Sequence, residues 1–82
     1  MDVFMQECKE IVRGYYLEVC EIKISKEEIF LVWVNKTLQN KKAILGTKID
    51  NTLFEITLNG DKHEIYVDAY KKVKNYKLKC WH

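Results

Sequence analysis

Proline is absent from this chain, and glycine occurs only three times in 82 residues, at Gly14, Gly46 and Gly60. Linkers between domains are usually rich in proline, glycine or serine, so the composition marks no boundary and predicts a single domain over residues 1–82. Three isolated glycines cannot build a phosphate-binding loop or a dinucleotide-binding fingerprint. Both of those classes of nucleotide site are therefore excluded.

Cysteine is scarce as well, with only Cys8, Cys20 and Cys80. In a helix at ~1.5 Å per residue, Cys8 and Cys20 lie about 18 Å apart, whereas a disulfide needs Cα atoms within about 7 Å. We therefore expect reduced thiols in a cytoplasm, with Cys8 and Cys20 as small core residues. The cysteines form no pair of zinc-site spacing with each other or with His63 and His82, so no metal or other cofactor is predicted.

Long apolar runs and a basic N-terminal region are missing too. The chain begins Met-Asp-Val-Phe-Met-Gln-Glu-Cys, which does not have the pattern of a signal peptide. No segment approaches the ~20 apolar residues that span a bilayer. These absences predict a cytoplasmic protein with no membrane partner.

Acidic residues are missing from the C-terminal end. Residues 1–28 carry seven acidic against four basic residues, whereas residues 71–82 contain five lysines and no acid. Lysines in such a segment can bind nucleic-acid phosphates. The candidates are Lys71, Lys72, Lys74 and Lys77. A net charge of only +2 does not favour this role over the commoner one, a solvated face that discourages aggregation of a sheet edge.

Residues 3–20 have the apolar spacing of an amphipathic helix. The apolar side chains that recur every three or four residues are Phe4, Cys8, Ile11, Val12, Tyr15 and Val19. Asp2 is in position to be the N-cap. Gly14 lowers helix stability by about 1 kcal/mol relative to alanine, and we interpret it as a tolerated weak point rather than a close contact.

Two signals compete in residues 25–34. Ser25-Lys26-Glu27-Glu28 has the form of a capping box, which favours a helix start. The next six residues, Ile29-Phe30-Leu31-Val32-Trp33-Val34, are apolar and mostly β-branched or aromatic, which favours a strand. We predict a strand covered on both faces, because six consecutive apolar residues show no helical periodicity.

Two alternating segments around Asn59-Gly60, between Thr52 and Tyr70, predict a β-hairpin. A two-residue loop would place Glu55 opposite Glu64, an unfavourable pair of like charges. A four-residue loop from Asn59 to Lys62 is therefore predicted, which pairs Glu55 with Tyr66. The residues that this register keeps on one core face are Phe54, Ile56, Leu58, Ile65 and Val67.

A turn at residues 39–41 and a strand at residues 42–49 lead into this hairpin. After Val67 the pattern changes, since Asp68 can cap a short basic helix while residues 76–80 alternate like a final edge strand. The predicted fold is α+β: an N-terminal amphipathic helix packed on a three- or four-stranded antiparallel β-meander, with a short basic C-terminal element.

A surface of aromatic and polar side chains is the candidate binding site. Alternation groups the polar and aromatic residues of the last strand away from the core, and Trp33 heads a similar row on the first strand. The candidate residues for a ligand or partner are Trp33, Lys36, Gln39, Asn40, Lys42, Glu64, Tyr66, Asp68 and Tyr70. The competing interpretation is that Trp33 and Tyr66 support the N-terminal helix on the covered face of the sheet.

No catalytic residues are predicted. Nucleophilic catalysis needs a serine or cysteine near a histidine, and nothing brings the only serine, Ser25, to His63. Glu55, Glu64 and Asp68 can converge on one face, but an exposed strand face explains them more simply than acid–base chemistry. The protein is expected not to be an enzyme.

Four segments resemble a known family. They are Lys36-Thr37-Leu38-Gln39-Asn40, Lys42-Ala43-Ile44-Leu45, Phe54-Glu55-Ile56-Thr57-Leu58-Asn59-Gly60-Asp61-Lys62 and Glu64-Ile65-Tyr66-Val67-Asp68-Ala69-Tyr70-Lys71-Lys72. They are similar to segments of a family of short uncharacterised proteins from phages and prophages of Gram-positive bacteria. Where that family has a tyrosine before Glu-Ile-Thr, this chain has Phe54.

The resemblance implies a context rather than an activity. Small phage accessory proteins without enzymatic motifs commonly act by binding. It therefore implies a protein that binds and inhibits or sequesters a host component, either a host-defence protein or a nucleotide signal, in the host bacterial cytoplasm. We also expect a homo-oligomer, because a chain this short cannot hide every apolar face. The alternative function is a small nucleic-acid-binding regulator that uses the C-terminal lysines.

Overall fold

The computed structural model describes residues 3–71. Its elements are a helix α1 (Val3–Val19), one turn of 3₁₀ helix (Lys26–Glu28), and the strands β1 (Ile29–Thr37), β2 (Asn40–Thr47), β3 (Thr52–Asn59) and β4 (Glu64–Lys71). The strands form one antiparallel sheet in chain order. The predicted α+β fold, a helix on an antiparallel meander, is confirmed. The predicted Asp2 cap and the C-terminal element beyond Lys71 lie outside the described residues.

α1 buries one stripe of side chains, Phe4, Met5, Cys8, Val12 and Tyr16. Tyr16 rather than the predicted Val19 continues this stripe, because a four-residue spacing keeps the row directly above the sheet. α1 ends at Val19, and two residues later Glu21, with a φ of 57°, turns the chain, while the Ile22 N–H donates to the Tyr16 carbonyl at 2.9 Å. A Cβ on Gly14 would meet nothing within 4 Å, so no close approach requires that glycine.

Only one of the two predicted core cysteines is buried. Cys8 lies under the helix, whereas Cys20 follows the last residue of α1 and is exposed, so the core prediction is wrong for Cys20. Both thiols are free. Burial, with a smaller contribution from the Glu7 carboxylate, raises the pKa of the Cys8 thiol to about 11.

α1 lies across the two central strands. The core residues that the two central strands contribute are Ala43 and Leu45 of β2 and Phe54 and Ile56 of β3, and β1 adds its first residue, Ile29. The rings of Tyr15 and Tyr16 meet Phe54 edge-on, with centroids 4.9 and 5.7 Å away. This geometry is favourable for aromatic pairs, so Phe54 is the centre of the helix–sheet contact.

Both competing signals before β1 are correct. Ser25 and Glu28 form the capping box of the 3₁₀ turn, with the Ser25 N–H donating to the Glu28 carboxylate at 3.1 Å, and the strand begins at Ile29. The prediction that this strand is covered on both faces is wrong, since only Ile29 is buried. A helix about 10 Å wide covers roughly two strands spaced ~4.8 Å apart, so a single helix leaves both outer strands exposed.

The β3–β4 loop has the predicted length but a different register. It spans residues 60–63 rather than 59–62, so Glu55 lies opposite Asp68 instead of Tyr66. The observed register therefore places two acidic residues opposite each other. It is tolerated because Lys42 on the neighbouring strand β2 lies 3.0 Å from Glu55 and neutralises its charge. Charge repulsion within one hairpin was therefore the wrong criterion for its register.

The structure confirms which residues of the hairpin share a face, but the second strand is less buried than predicted. Phe54 and Ile56 are fully buried, whereas Ile65 and Val67 are more than 40% exposed, so their assignment to the core is wrong. They belong to an outer strand that α1 does not reach. Asp68 does not cap a helix, because β4 continues through it to Lys71.

The first hairpin turns earlier than predicted. Its loop is Leu38-Gln39, and β2 starts at Asn40 rather than at Lys42. Leu38 has a φ of 53° and is 97% exposed at the tip. The Gly60 N–H donates to the Gln39 carbonyl at 3.1 Å, so the loops of the two hairpins lie side by side.

Candidate binding face of the sheet

One face of the sheet carries α1, and no described element covers the other, which we call the open face. Strand pairing arranges its side chains in four rows. The rows are Phe30, Gly46, Leu53 and Tyr70; Trp33, Ile44, Glu55 and Asp68; Asn35, Lys42, Thr57 and Tyr66; and Thr37, Asn40, Asn59 and Glu64. Aromatic side chains thus lie in three of the four rows, among polar neighbours.

Most of the predicted site residues come together on this face. The seven that share it are Trp33, Asn40, Lys42, Glu64, Tyr66, Asp68 and Tyr70. Lys36 is excluded, because it pairs with Lys41 and Leu58 in a row on the side of α1. Gln39 lies in the β1–β2 loop. The competing interpretation is wrong, since Trp33 and Tyr66 point away from the helix that they were to support.

The sequence pattern missed Phe30 as a neighbour of Trp33. Residues three apart in a regular strand point to opposite faces. A β-bulge between Leu31 and Trp33 inserts Val32, and this extra residue brings Phe30 and Trp33 to the same face. Nothing in a continuous apolar run signals a bulge, so the alternation could not have found this pair.

Polar contacts hold the middle of the open face. Lys42 Nζ lies 3.0 Å from Glu55 Oε1, and the Tyr66 hydroxyl donates a 2.7 Å hydrogen bond to the Glu64 carboxylate. That hydrogen bond and the negative charge of Glu64 raise the pKa of Tyr66 above its ordinary value of 10. With one lysine against Glu55, Glu64 and Asp68, the face carries a net charge of −2 (one minus three).

The depression beside Trp33 is small. It is lined by residues of β1, β2 and β3, including Lys41 and Lys42, and has a volume of about 180 Å³. Sites for small molecules usually have ~300–1,000 Å³. This depression is therefore too small to enclose a nucleotide.

Two larger concave regions have acidic rather than basic linings. One of about 350 Å³ lies between Phe30 and Leu53 at the other end of the open face, and includes Asp50. A groove of about 410 Å³ between α1 and β4 includes Glu7 and Glu10. No lysine or arginine lines either of them, so neither offers a cation to a phosphate group.

The two residues considered for nucleophilic catalysis lie apart, whereas the carboxylates considered for acid–base catalysis, Glu55, Glu64 and Asp68, share the open face. Ser25 precedes the end of β1 that pairs with Thr47, whereas His63 lies in the β3–β4 loop at the opposite end of the sheet. Among residues 3–71, no group of three or more histidine, cysteine, aspartate or glutamate side chains is arranged to hold a metal ion.

The lysines of the nucleic-acid alternative are mostly outside the described part of the chain. Lys71 is exposed at the end of β4, opposite Thr52 and on the side of α1, away from the open face. Lys72, Lys74 and Lys77 lie beyond it. The nucleic-acid alternative stays a prediction.

Comparisons with known proteins give one match. Neither the search of curated proteins nor the search of solved structures returned a match for this chain. Within the described residues, no helix is long and apolar enough to cross a membrane. A model of a family of unknown function, DUF6275, matches residues 5–80. Since this match covers nearly the whole sequence, the chain belongs to the DUF6275 family.

Proposed function

We propose that this is a non-enzymatic binding protein that holds a second protein on its open face. The observation that carries the proposal is that Trp33 of β1 and Tyr66 and Tyr70 of β4, each 43–50% exposed, lie across one face of the sheet that no described element covers. Exposed apolar residues that occur singly need no explanation, whereas a grouped patch marks an interaction site. Tryptophan and tyrosine also supply much of the energy of protein interfaces.

A protein partner fits this surface better than a nucleotide signal does. Two concave regions with basic side chains, one beside Trp33 and one lined by Arg13 and Lys23, hold only about 180 and 170 Å³. The two regions of about 350 and 410 Å³ contain carboxylates in place of cations. A phosphate group would meet repulsion in both of those. A broad, shallow face with aromatic residues has instead the composition of a protein interface.

The charge of the open face indicates the kind of protein. Its net charge of −2 favours a partner surface that is basic around an apolar centre, because opposite charges speed and orient association. The same charge repels the phosphates of nucleic acids. The open face itself is therefore better suited to a basic protein surface than to a nucleic acid.

The biological setting in the proposal comes from the resemblance of the segments between residues 30 and 72 to phage and prophage proteins. On that basis the protein acts as a phage accessory protein in the host cytoplasm. Its partner is a host protein, a defence component by preference, which it inhibits or sequesters by occupying a surface.

The test is affinity capture from lysate of the host bacterium with wild-type protein and open-face variants. We expect Trp33→Ala/Tyr66→Ala and Asp68→Lys to lose a protein that the wild type retains. Leu17→Ala is the matched control, because Leu17 is an apolar residue that is even more exposed, at 57%, but lies on α1. Identical capture by all four proteins contradicts the proposal, and so does a nucleotide that heated wild-type protein releases and mass spectrometry detects.

A further inference from the structure

One concave region at the end of the open face combines apolar walls with a carboxylate. It has a volume of about 350 Å³, and we call it the Asp50 hollow. Phe30, Val32 and Leu53 supply its apolar walls, whereas Asp50 and Asn51 of the β2–β3 turn supply polar groups. Sites for small ligands start at ~300 Å³, so the hollow is large enough for one side chain of another molecule.

The hollow exists because one position in this row of the sheet has no side chain. Gly46 lies between Phe30 of β1 and Leu53 of β3. The tip of the Phe30 ring leans into the free space, with Cζ 2.7 Å from the point where a Cβ of residue 46 would lie. Phe30 is still 45% exposed, so part of its aromatic ring is available to a ligand.

The Asp50 carboxylate is held in a fixed position. The Tyr16 hydroxyl donates to its Oδ1 at 2.7 Å, and the Thr52 N–H donates to the same oxygen at 3.0 Å. Since Tyr16 is fully buried, the first of these bonds comes from the packed core. Both bonds leave Oδ2 for a further donor. A carboxylate that is positioned before its ligand arrives loses little conformational freedom on binding.

This carboxylate has no ion-pair partner in the described part of the chain. Within residues 3–71, the ion pairs have Glu10 or Glu55 as the acid, and none involves Asp50. Burial raises the pKa of Asp50, but hydrogen bonds, above all the one from the Tyr16 hydroxyl, outweigh burial, and the charge of Lys71 contributes least. Asp50 therefore carries a negative charge at neutral pH that no cation among these residues pairs with.

We propose that the Asp50 hollow binds an arginine side chain of the partner protein. The guanidinium group donates to Asp50 Oδ2 and stacks on the Phe30 ring, while the methylene stem packs against Val32 and Leu53. Asn51, in the same lining, offers an amide oxygen to a second N–H. Only the assignment of this arginine to the partner rests on the proposed function.

The chemistry of the hollow selects arginine over lysine. A lysine ammonium can pair with a carboxylate, but it is compact and strongly hydrated, and it gains little from an aromatic wall. A guanidinium group is planar and weakly hydrated, and it stacks on an aromatic face while its N–H groups donate in the plane. Apolar walls also lower the local dielectric constant, which strengthens the pair with Asp50.

NMR titration of isotopically labelled protein with Nα-acetyl-arginine amide tests the site without the partner. We expect saturable shifts of the backbone amides of residues 46–53, with a dissociation constant of about 1–10 mM for so small a ligand. Nα-acetyl-citrulline amide has nearly the same shape but no charge, so it should bind about fivefold more weakly or worse. Nα-acetyl-lysine amide should also bind more weakly, because it lacks the planar group.

Three variants separate charge, stacking and general electrostatics. Asp50→Asn keeps an acceptor for Tyr16 and Thr52 but removes the charge, and should weaken binding of the arginine derivative about fivefold or more. Phe30→Leu keeps an apolar wall without the ring and should weaken binding about two- to fivefold. Asp61→Asn is the matched control, because it removes one negative charge from the β3–β4 loop at the opposite end of the sheet, and it should bind like the wild type. The dispersion of each NMR spectrum verifies folding.

The proposal is overturned if the arginine derivative causes no saturable shifts, or if the citrulline or lysine derivative binds as tightly. It is equally overturned if Asp50→Asn binds as well as Asp61→Asn does. Capture from host lysate separates this site from the proposed function. A host protein that wild type and Asp50→Asn retain equally supports the open-face function and overturns the arginine site. A wild type that captures no host protein but binds the arginine derivative as expected supports the site and contradicts the function.

Discussion

The Tyr16 hydroxyl on α1 donates a 2.7 Å hydrogen bond to the Asp50 carboxylate in the β2–β3 turn. It also lies 2.9 Å from the Thr47 hydroxyl of β2. Tyr16 is fully buried, and its ring packs on Phe54, so one side chain joins the helix, the turn and the core. Burial raises the pKa of Tyr16, which keeps the hydroxyl protonated as the donor that this arrangement needs.

Removing this hydroxyl should destabilise the fold. Tyr16→Phe leaves the Thr47 hydroxyl without its Tyr16 partner in the core, which costs about 1–3 kcal/mol in the free energy of unfolding. Urea denaturation measures it. Tyr15→Phe is the control, because the Tyr15 hydroxyl bonds to no described residue, and its effect should stay within about 0.5 kcal/mol. Equal losses from both variants would show that the Tyr16 hydroxyl contributes nothing specific.

Asp50 should make stability depend on pH in the acid range. Burial alone would raise its pKa, but hydrogen bonds from the Tyr16 hydroxyl and the Thr52 N–H outweigh burial, and the net shift is below its ordinary 3.8. The contribution of ionised Asp50 to the free energy of unfolding is therefore complete above pH 3.8. It is lost as the pH falls through the lower pKa that Asp50 has in the folded protein. It is small, since Asp50 is exposed.

The matched comparison for this effect is Asp50→Asn, which keeps an oxygen acceptor but does not titrate. The difference in unfolding free energy between wild type and variant should be constant near neutral pH and should shrink below pH 3.8. A difference that is flat down to pH 2 would contradict the lowered pKa.

Gly46 in β2 and Gly60 in the β3–β4 loop should differ in how well they tolerate substitution by alanine. A Cβ on Gly60 would clash with the backbone carbonyl of Gln39, which the Gly60 N–H also contacts. A Cβ on Gly46 would crowd the tip of the exposed Phe30 ring, which can swing aside, and would make an ordinary contact with Leu53. We expect Gly60→Ala to cost about 1–3 kcal/mol, and Gly46→Ala clearly less, in thermal or urea unfolding. The reverse order would show that the two hairpin loops move apart freely.

The cysteines should differ in reactivity. Relative to an ordinary thiol, a shift of the Cys8 pKa from 9.0 to about 11 lowers the thiolate fraction about 100-fold near neutral pH, before steric exclusion is counted. In a Cys80→Ser background, an aromatic disulfide reagent should modify Cys20 at once and Cys8 only on unfolding. Adding Cys20→Ser should abolish the fast phase. A fast phase that persists in that variant would mean that the native core opens readily.

The sequence predicts this fold where periodicity carries the information. The row from Phe4 to Cys8 to Val12 defines the buried side of α1, and Phe54 with Ile56 defines the core side of β3. Periodicity does not reveal how far a helix reaches across a sheet, so Ile65 and Val67 were misplaced in the core. It also does not reveal a neighbouring strand, whereas among the described residues the contact between Lys42 of β2 and Glu55 explains why Glu55 tolerates Asp68.

The candidate site was predicted in part for the same reason. Alternation alone groups Glu64, Tyr66, Asp68 and Tyr70, because β4 is regular. Lys36 was misassigned although it lies after the bulge in regular alternation with Trp33, which already puts it on the side of α1. The bulge at Val32 instead explains why Phe30 was missed, because it changes the parity of the first half of β1 relative to the second. A bulge depends on backbone geometry rather than on residue type, and so the run from Ile29 to Val34 conceals it.

The order of the strands also has a consequence for folding kinetics. Because spatial order follows chain order, the sheet closes only loops of two, four and four residues, at 38–39, 48–51 and 60–63. Short loops lose little entropy on closure, and low contact order speeds folding. The sheet can grow hairpin by hairpin, whereas docking of α1 must bring together groups as distant in sequence as Tyr16 and Asp50. Placement of the helix, rather than pairing of the strands, is the slow event that this topology implies.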